Sequence, residues 1–303
     1  MMNFQPITVN SQIDLKKYEN LRSVYVSEGY FLNQFLWKDY YHTQYATDNI
    51  ALYLLIWIRG RYCCFPPLCK KEHIPEAFSR LEQYFQKELN EPLTLYLADT
   101  EFVDMIEHSD HAAKYTVTPD RDSFDYIYDG DRLRTLSGKA MHKKKNLLNG
   151  FLRQYEGRYE YVSLSKEHTE EIKNFHEEWL HSRTICDKYH SIQDEEKGLF
   201  DLFDHLTDVT CKLGGVRIDG ELKAYTIGSY QAHIKTAFIH IEKADTGYHG
   251  LYNYINQQFL IHEFPEAVFV NREDDLGQEN LRHAKLSYRP LRLEEKFTIA
   301  QNL

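Results

Sequence analysis

The last third of the sequence carries two charged side chains that could bind or activate a substrate. Glu242 ends a predicted strand, where a carboxylate could act as a general base or hold an amine. Arg272 follows the next predicted strand, and its guanidinium could bind a phosphate or carboxylate through two parallel hydrogen bonds. Because α/β sheets bind ligands at the carboxyl ends of their strands, we expect a site there. A salt bridge between Glu242 and Lys243 or another cation is the alternative.

The next predicted helix, near the end of the chain, supplies further candidates. Asp274 and Asp275 precede it, so one carboxylate is expected to cap the helix and the other could face a substrate. Arg282 and Lys285 are three residues apart on that helix and face the same way. Tyr288 follows it and could donate a proton, although a core tyrosine is the alternative in a chain with 23 tyrosines. A base, a cation and a proton donor are the groups that acyl transfer needs.

A glycine-bearing loop, Asp245–Gly250, opens a predicted helix that runs to His262. Free N–H groups at a helix start, together with the helix dipole, bind phosphate or carboxylate. The cofactor-binding candidates are Gly247, Tyr248 and Gly250. A plain loop is the alternative interpretation.

Positive charge is concentrated in residues 130–158. The whole chain has a net charge of −10 at pH 7, yet this segment holds eight Lys and Arg against two acids. Helical spacing brings four polar residues near one face, namely Lys139, His142, Lys143 and Asn146. The next two lysines, at 144 and 145, are turned further round. That face could contact the phosphates of a tRNA, a CoA or a lipid head group, and a solvent-exposed helix is the alternative.

The patterns that position these groups predict an α/β fold with mixed sheets. The first half of the sequence predicts strand, strand, helix, strand, helix and strand, and the second half repeats this order after the basic segment. Asp219–Gly220 lies between two strand-like runs and predicts a type I′ hairpin, because both central residues need positive φ. At about 150 residues per domain, the length predicts two domains.

Missing motifs exclude several classes of enzyme. The chain has no G-x-S-x-G, no phosphate-binding P-loop and no dinucleotide fingerprint, which argues against hydrolases, NTPases and dehydrogenases. His176 and His181 are five residues apart and do not form a zinc-binding pair on a helix, so no metal is expected. Five cysteines without framework spacing predict free thiols, and no apolar run is long enough to cross a bilayer. We therefore expect a cytoplasmic protein without a disulfide.

Four segments carry a family resemblance: Tyr128–Asn146, Ile241–Ala244, Tyr252–Phe259 and Asn271–Pro290. They resemble soluble relatives of the phosphatidylglycerol lysyltransferase C-terminal domain, and the likeness spans roughly residues 20–300. The resemblance implies a tandem GNAT-like (N-acetyltransferase-type) fold. In that family, membrane-bound relatives transfer a lysyl or alanyl group from aminoacyl-tRNA to a lipid head group. The resemblance also adds Lys243, Asn256 and Asn271 to the expected substrate-binding residues.

These observations predict two GNAT-like domains, 1–130 and 159–303, joined by a basic helix within 131–158. We expect the C-terminal domain to hold the active site, with Glu242, Asp274 and Tyr288 as catalytic residues, and the N-terminal domain to lack a donor site. The predicted reaction moves an acyl or aminoacyl group from acyl-CoA or aminoacyl-tRNA to an amine or hydroxyl of a small molecule or lipid head group. The alternative is a non-catalytic module that binds tRNA or anionic head groups, in peripheral contact with a membrane.

Overall fold

The computed structural model describes residues 2–182 and 191–302. Cys186, one of the predicted free thiols, lies outside the described residues. Among the described residues no helix is long and apolar enough to cross a membrane. The described cysteines form no disulfide with one another.

The strands of the described residues alternate with helices along the chain. The strands are β1 (Gln5–Pro6), β2 (Gln44–Thr47), β3 (Ala51–Ile58), β4 (Arg61–Cys69), β5 (Thr94–Ala98), β6 (Tyr115–Pro119), β7 (Asp125–Asp129), β8 (Tyr159–Leu164), β9 (Lys212–Ile218), β10 (Glu221–Gln231), β11 (Thr236–Ala244), β12 (Phe269–Asn271), β13 (Arg292–Glu294) and β14 (Phe297–Gln301). The helices are α1 (Gln12–Glu19), α2 (Phe31–Leu36), α3 (Lys38–Tyr41), α4 (Ile74–Tyr84), α5 (Thr100–Glu107), α6 (Gly130–Thr135), α7 (His142–Gln154), α8 (Thr169–His181), α9 (Ser191–Asp204), α10 (Leu251–Glu263) and α11 (Glu279–Leu286).

The described chain forms two compact units that are not consecutive in sequence. Unit 1 contains residues 2–125, 191–199 and 294–302, and unit 2 contains residues 126–182 and 200–293. The last strand, β14, therefore belongs to unit 1, whereas the order of the sequence predicts it for the C-terminal domain. The basic segment, predicted as a linker, belongs to unit 2, where α6 and α7 pack on α10.

Unit 1 is built on a seven-stranded mixed sheet with the order β1-β2-β3-β4-β5-β14-β6. Strands β4 and β5 are parallel, and β14 lies antiparallel between β5 and β6. Helices α4 and α5 place Phe78 and Phe102 in a fully buried core. The sheet is continuous only because the end of the chain supplies β14.

Unit 2 is built on a second seven-stranded mixed sheet with the order β13-β7-β12-β11-β10-β9-β8. Strands β11 and β12 are parallel but pair only from Thr236 to Phe238, opposite Phe269 to Asn271. Strand β11 continues to Ala244, whereas β12 ends at Asn271, so the two chains separate. This separation opens the carboxyl end of the parallel pair, where α/β sheets bind ligands.

The hairpin predicted at Asp219–Gly220 is confirmed. It joins β9 to β10, and the φ angles of the two turn residues are 52° and 85°, as a type I′ turn requires. The predicted helix start at Leu276 is wrong, because α11 begins at Glu279. Leu276 and Gly277 have φ angles of 51° and 67°, so these residues form a left-handed turn instead of the first helical turn. The sequence predicts one last strand over residues 291–299, but this stretch is divided between β13 and β14, which lie in different sheets.

One buried carboxylate in unit 1 makes a prediction about stability. Glu19 is buried, and its Oε1 accepts a hydrogen bond from the N–H of Phe31 at 2.6 Å. Burial raises the pKa of Glu19 to about 7. The folded protein therefore holds a proton that the unfolded chain releases above its ordinary pKa near 4.5. The stability that this proton contributes is present below pH 4.5 and is lost as the pH rises through 7.

We expect Glu19→Gln to remove this pH dependence. The free energy of unfolding of the variant should exceed that of the wild type by about 2 kcal/mol at pH 8.5 and should differ little from it at pH 5. Denaturant unfolding at both pH values measures this. Glu107→Gln is the control, because Glu107 is exposed and should change neither value. A Glu19 variant that is less stable than the wild type at pH 8.5 would contradict the assignment.

Candidate active site

A buried ion pair stands where β11 and β12 separate. Arg272 donates from one terminal nitrogen to Glu242 Oε1 at 2.9 Å, and Asn256 donates from Nδ2 to Glu242 Oε2 at 3.1 Å. The two charged side chains are only 13% and 11% exposed. Burial lowers the pKa of Arg272, but the Glu242 carboxylate and nearby tyrosines raise it more, so the guanidinium stays charged. The structure thus gives Glu242 a cation partner, which is Arg272 and not the adjacent Lys243.

Tyr288 lies beside this pair. The Arg272 guanidinium lies 5.1 Å from the centre of the Tyr288 ring, and Asn253 donates from Nδ2 to the phenol oxygen at 2.5 Å. Burial raises the pKa of Tyr288 to about 12. The phenol is therefore protonated at neutral pH, and because its oxygen accepts from Asn253, its own proton is available to a neighbouring oxygen. This suits proton donation and excludes Tyr288 as a base.

Lys144 of α7 lies against the ring of Tyr288. Its Nζ is 4.1 Å from the ring centre of Tyr288, and the side chain is half-buried. Lys144 has no carboxylate partner among the residues that the structure describes. Burial, together with the charge of Arg272, lowers the pKa of Lys144 to about 8. The cluster of Glu242, Arg272, Tyr288 and Lys144 therefore carries two cations against one carboxylate, an arrangement that favours an anionic ligand.

Two other predicted site residues, Arg282 and Lys285, bind groups of the protein itself. Arg282 binds Asp275 through two hydrogen bonds of 2.9 and 2.8 Å, and Tyr126 donates to the same carboxylate at 2.5 Å. Burial raises the pKa of Asp275, but these donors and the N–H of Gly277 lower it more. Lys285 donates to the carbonyl oxygens of residues 272, 273 and 274. These contacts fix the loop that carries Arg272.

Three further predicted residues point away from the cluster or stabilise its backbone. Asp274 accepts from the N–H of Leu276 at 3.0 Å, in a turn and not at a helix cap. Asn271 is fully buried and accepts from the N–H of Glu273 at 2.6 Å. The ammonium of Lys243 lies 4.4 Å from the ring centre of Trp179 on α8. Because side chains alternate along a strand, Lys243 lies on the opposite sheet face from its neighbour Glu242.

Some backbone N–H groups of the glycine loop donate hydrogen bonds to acceptors within the loop. Asp245 accepts from the N–H of Gly247 at 2.8 Å, and the N–H of Leu251 donates to the carbonyl oxygen of Tyr248. A Cβ at Gly250 would lie 2.6 Å from the carbonyl oxygen of Leu147, so α7 packs directly against the end of the loop. The N–H groups of Gly247 and Leu251 therefore already have acceptors within the protein.

The basic face predicted on α7 is exposed. All four of its members are exposed, namely Lys139, His142, Lys143 and Asn146. Within this face, His142 and Asn146 contact each other at 3.4 Å. The residues that the sequence reasoning missed are Lys144, Asn253 and Tyr128, whose ring lies 5.9 Å from Arg272. Helical spacing from Asn256 marks Asn253 as a neighbour on α10 and could have found it. The choice of Lys144 among three consecutive lysines depends on how α7 packs.

The chain belongs to the family described as phosphatidylglycerol lysyltransferase, C-terminal, which matches residues 20–300. The predicted family is therefore confirmed. Among solved structures, a conserved protein of unknown function from Bacteroides thetaiotaomicron VPI-5482 is 26% identical, with a TM-score of 0.90 and full coverage of both chains.

Two more distant structures show the same fold. L-PGS from Bacillus licheniformis has a TM-score of 0.67 at 15% identity, covering 95% of this chain and 91% of its own. FemX has a TM-score of 0.62 at 8% identity, covering 100% of this chain and 98% of its own. The predicted fold class is thereby confirmed as α/β with two mixed sheets.

Proposed function

We propose that this protein transfers an aminoacyl group from the ester of an aminoacyl-tRNA to an amine or hydroxyl acceptor. The family relationship supports aminoacyl transfer in general. The observation that carries the proposal is the buried cluster of Glu242, Arg272, Tyr288 and Lys144 at the open end of the parallel strands. Two N–H groups of the glycine loop already have acceptors in the chain, and α7 lies against Gly250. We therefore favour an aminoacyl-tRNA over an acyl-CoA as the donor.

The groups of the cluster match the steps of ester aminolysis or transesterification. The acceptor nitrogen or oxygen attacks the ester carbonyl carbon, and Arg272 and Lys144 stabilise the oxyanion that forms. The bond from the carbonyl carbon to the ribose oxygen then breaks, the protonated Tyr288 donates to that oxygen, and the tyrosinate takes up the proton that the acceptor group loses. Each oxygen of Glu242 accepts one hydrogen bond and can accept another, so the carboxylate can hold the ammonium group of a substrate.

A transfer assay with defined donors tests this proposal. The protein is incubated with labelled lysyl-tRNA, alanyl-tRNA, acetyl-CoA or palmitoyl-CoA, and with phosphatidylglycerol vesicles or small amines as acceptors. We expect label to move from an aminoacyl-tRNA to an acceptor and not from either CoA. Turnover with a CoA alone would contradict the proposal. An increase in thermal stability with tRNA but no transfer to any acceptor would support the binding module instead.

Lys144 makes a specific prediction for this assay. Because the ammonium is charged only below its pKa of about 8, transition-state stabilisation by Lys144 should weaken as the pH rises above 8. We expect Lys144→Met to lower the transfer rate about 10- to 100-fold at pH 7. Lys144→Arg should retain activity and extend it to higher pH, because a guanidinium stays protonated.

The matched control is Lys145→Met, since Lys145 is the exposed neighbour on the same helix. Its rate should stay within about twofold of the wild type. Equal losses in the two methionine variants would indicate a general effect of basic charge on tRNA binding and would remove Lys144 from the site.

A further inference from the structure

Ser229, His240 and Glu273 form a hydrogen-bonded chain in unit 2 to which no role has been given above. The Ser229 hydroxyl lies 2.9 Å from Nε2 of His240. Nδ1 of the same ring lies 2.8 Å from Oε1 of Glu273. Ser229 belongs to β10, His240 to β11 and Glu273 to the loop after β12. Three separate elements therefore bring a hydroxyl, an imidazole and a carboxylate into line.

The two distances match the arrangement that activates a serine. A carboxylate on Nδ1 holds the proton at that nitrogen, which leaves Nε2 free to accept the serine proton. The carboxylate also stabilises the imidazolium that forms when the proton moves. Such a constellation is recognised by the roles of its members and not by their order or their fold.

Two irregularities of the backbone orient the side chains of His240 and Glu273. In the pairing of β10 with β11, Ile227 faces Ile241 and Gly228 faces Ile239, so His240 is the extra residue of a bulge. Bulges redirect a side chain and are frequent beside active sites. Glu273 has a φ of 54°, a left-handed conformation that is uncommon outside glycine. Strained positions of this kind persist where the surroundings hold them, and they cluster at functional sites.

The surroundings of Glu273 hold that conformation firmly. Its N–H donates to Asn271, and its carbonyl oxygen accepts from Lys285 and from the N–H of Tyr126. The His240 side chain is fully buried, whereas that of Glu273 is 16% exposed. Ser229 is buried as well, so Glu273 is the most exposed of the three.

We propose that Ser229 is an acyl-accepting nucleophile, with His240 as its base and Glu273 as the residue that orients the base, and that it cleaves carboxylic esters. Ser229 Oγ attacks the ester carbonyl carbon as its proton passes to His240 Nε2. The ester C–O bond breaks, the alcohol leaves with that proton, and the acyl group stays on Ser229. Water, activated by the same imidazole, then releases the acid and restores the serine. This activity does not depend on the transfer reaction proposed above.

A serine-directed probe tests the proposal. The full chain is treated with a fluorophosphonate and separately with p-nitrophenyl acetate, and adducts are located by mass spectrometry of peptides. We expect one adduct, on Ser229, and release of p-nitrophenolate. Ser229→Ala and His240→Gln should abolish both signals, and Glu273→Gln should slow labelling at least tenfold. Ser163→Ala is the control, because Ser163 donates to the carboxylate of Glu263 and contacts no imidazole among the residues that the structure describes.

A second variant keeps the test decisive if Ser229→Ala does not fold. Ser229→Cys should react with iodoacetamide at the substituted position, because the imidazole would promote thiolate formation. The native described thiols are poor competitors, since burial raises the pKa of Cys63, Cys64, Cys69 and Cys211. A folded wild type that forms no adduct on Ser229 would overturn the proposal, as would a Ser229→Ala variant that still hydrolyses the ester at the wild-type rate. Neither result bears on the tRNA-dependent transfer, which is measured separately.

Discussion

Replacement of Lys296 by Met is expected to destabilise the protein by about 3–5 kcal/mol, because it removes the buried cation that two buried carboxylates share. The Lys296 ammonium is completely buried and lies 2.7 Å from Glu28 and 2.8 Å from Asp125. Asp125 also accepts from the N–H of Ser27 at 2.9 Å. All of these residues belong to unit 1, and Lys296 immediately precedes the segment that completes its sheet. Denaturant unfolding at pH 8 measures the loss.

The pH dependence of this loss distinguishes buried charge from lost packing. Burial raises the pKa of Glu28 although Lys296 opposes the shift, and removal of the ammonium should raise it further. Protonation at pH 5 should therefore recover part of the stability, and a second change, Glu28→Gln, should recover part of it at pH 8. Lys114→Met, at an exposed position of unit 1, is the control and should cost less than about 0.5 kcal/mol. A loss that is equal at both pH values would show that packing and not charge is responsible.

Replacement of Arg272 by Gln is expected to lower aminoacyl transfer by about 100- to 1000-fold. The guanidinium donates to Glu242 at 2.9 Å and lies 5.1 Å from the centre of the Tyr288 ring, so it is placed to stabilise an oxyanion. The same change removes the cation that Glu242 binds and leaves the amide of Asn256 as a donor to this buried carboxylate, so some stability should be lost as well. Activity and unfolding must therefore be measured on the same samples.

The double variant Glu242→Gln with Arg272→Gln separates the two effects. Removal of both charges abolishes the uncompensated carboxylate, so the stability should return towards the wild-type value. The transfer rate should stay at or below the level of the single Arg272→Gln variant. If the double variant regains activity together with stability, Arg272 acts only through the fold.

The elements of the fold could largely be predicted from the sequence. Alternating apolar residues and the Asp219–Gly220 pair are local signals, and they predicted β9, β10 and the turn between them correctly. The start of α11 was misjudged because two aspartates before an apolar residue resemble a helix cap. In the structure Asp275 binds Arg282, seven residues further along, and Tyr126, which is distant in the sequence.

The candidate site was predicted only in part. Four residues are predicted from their positions after a strand or a helix or from the family resemblance, and the structure brings them together: Glu242, Arg272, Asn256 and Tyr288. Arg282 and Lys285 were expected to bind substrate because they are charged and share a helix face. They stabilise the loop instead, since a buried carboxylate and three carbonyl oxygens lie within their reach. The triad of Ser229, His240 and Glu273 has no sequence motif, because its members come from three elements.

The sequence by itself determined the family, the order of strands and helices, and the region that holds the charged cluster, because these depend on local pattern and residue type. The tertiary structure decided which charges neutralise each other and which lysine of α7 approaches Tyr288. It also decided that the last strand completes the sheet of unit 1. The physical reason is that ion pairing, burial and pKa depend on distances between residues far apart in the chain, and local sequence patterns do not encode those distances.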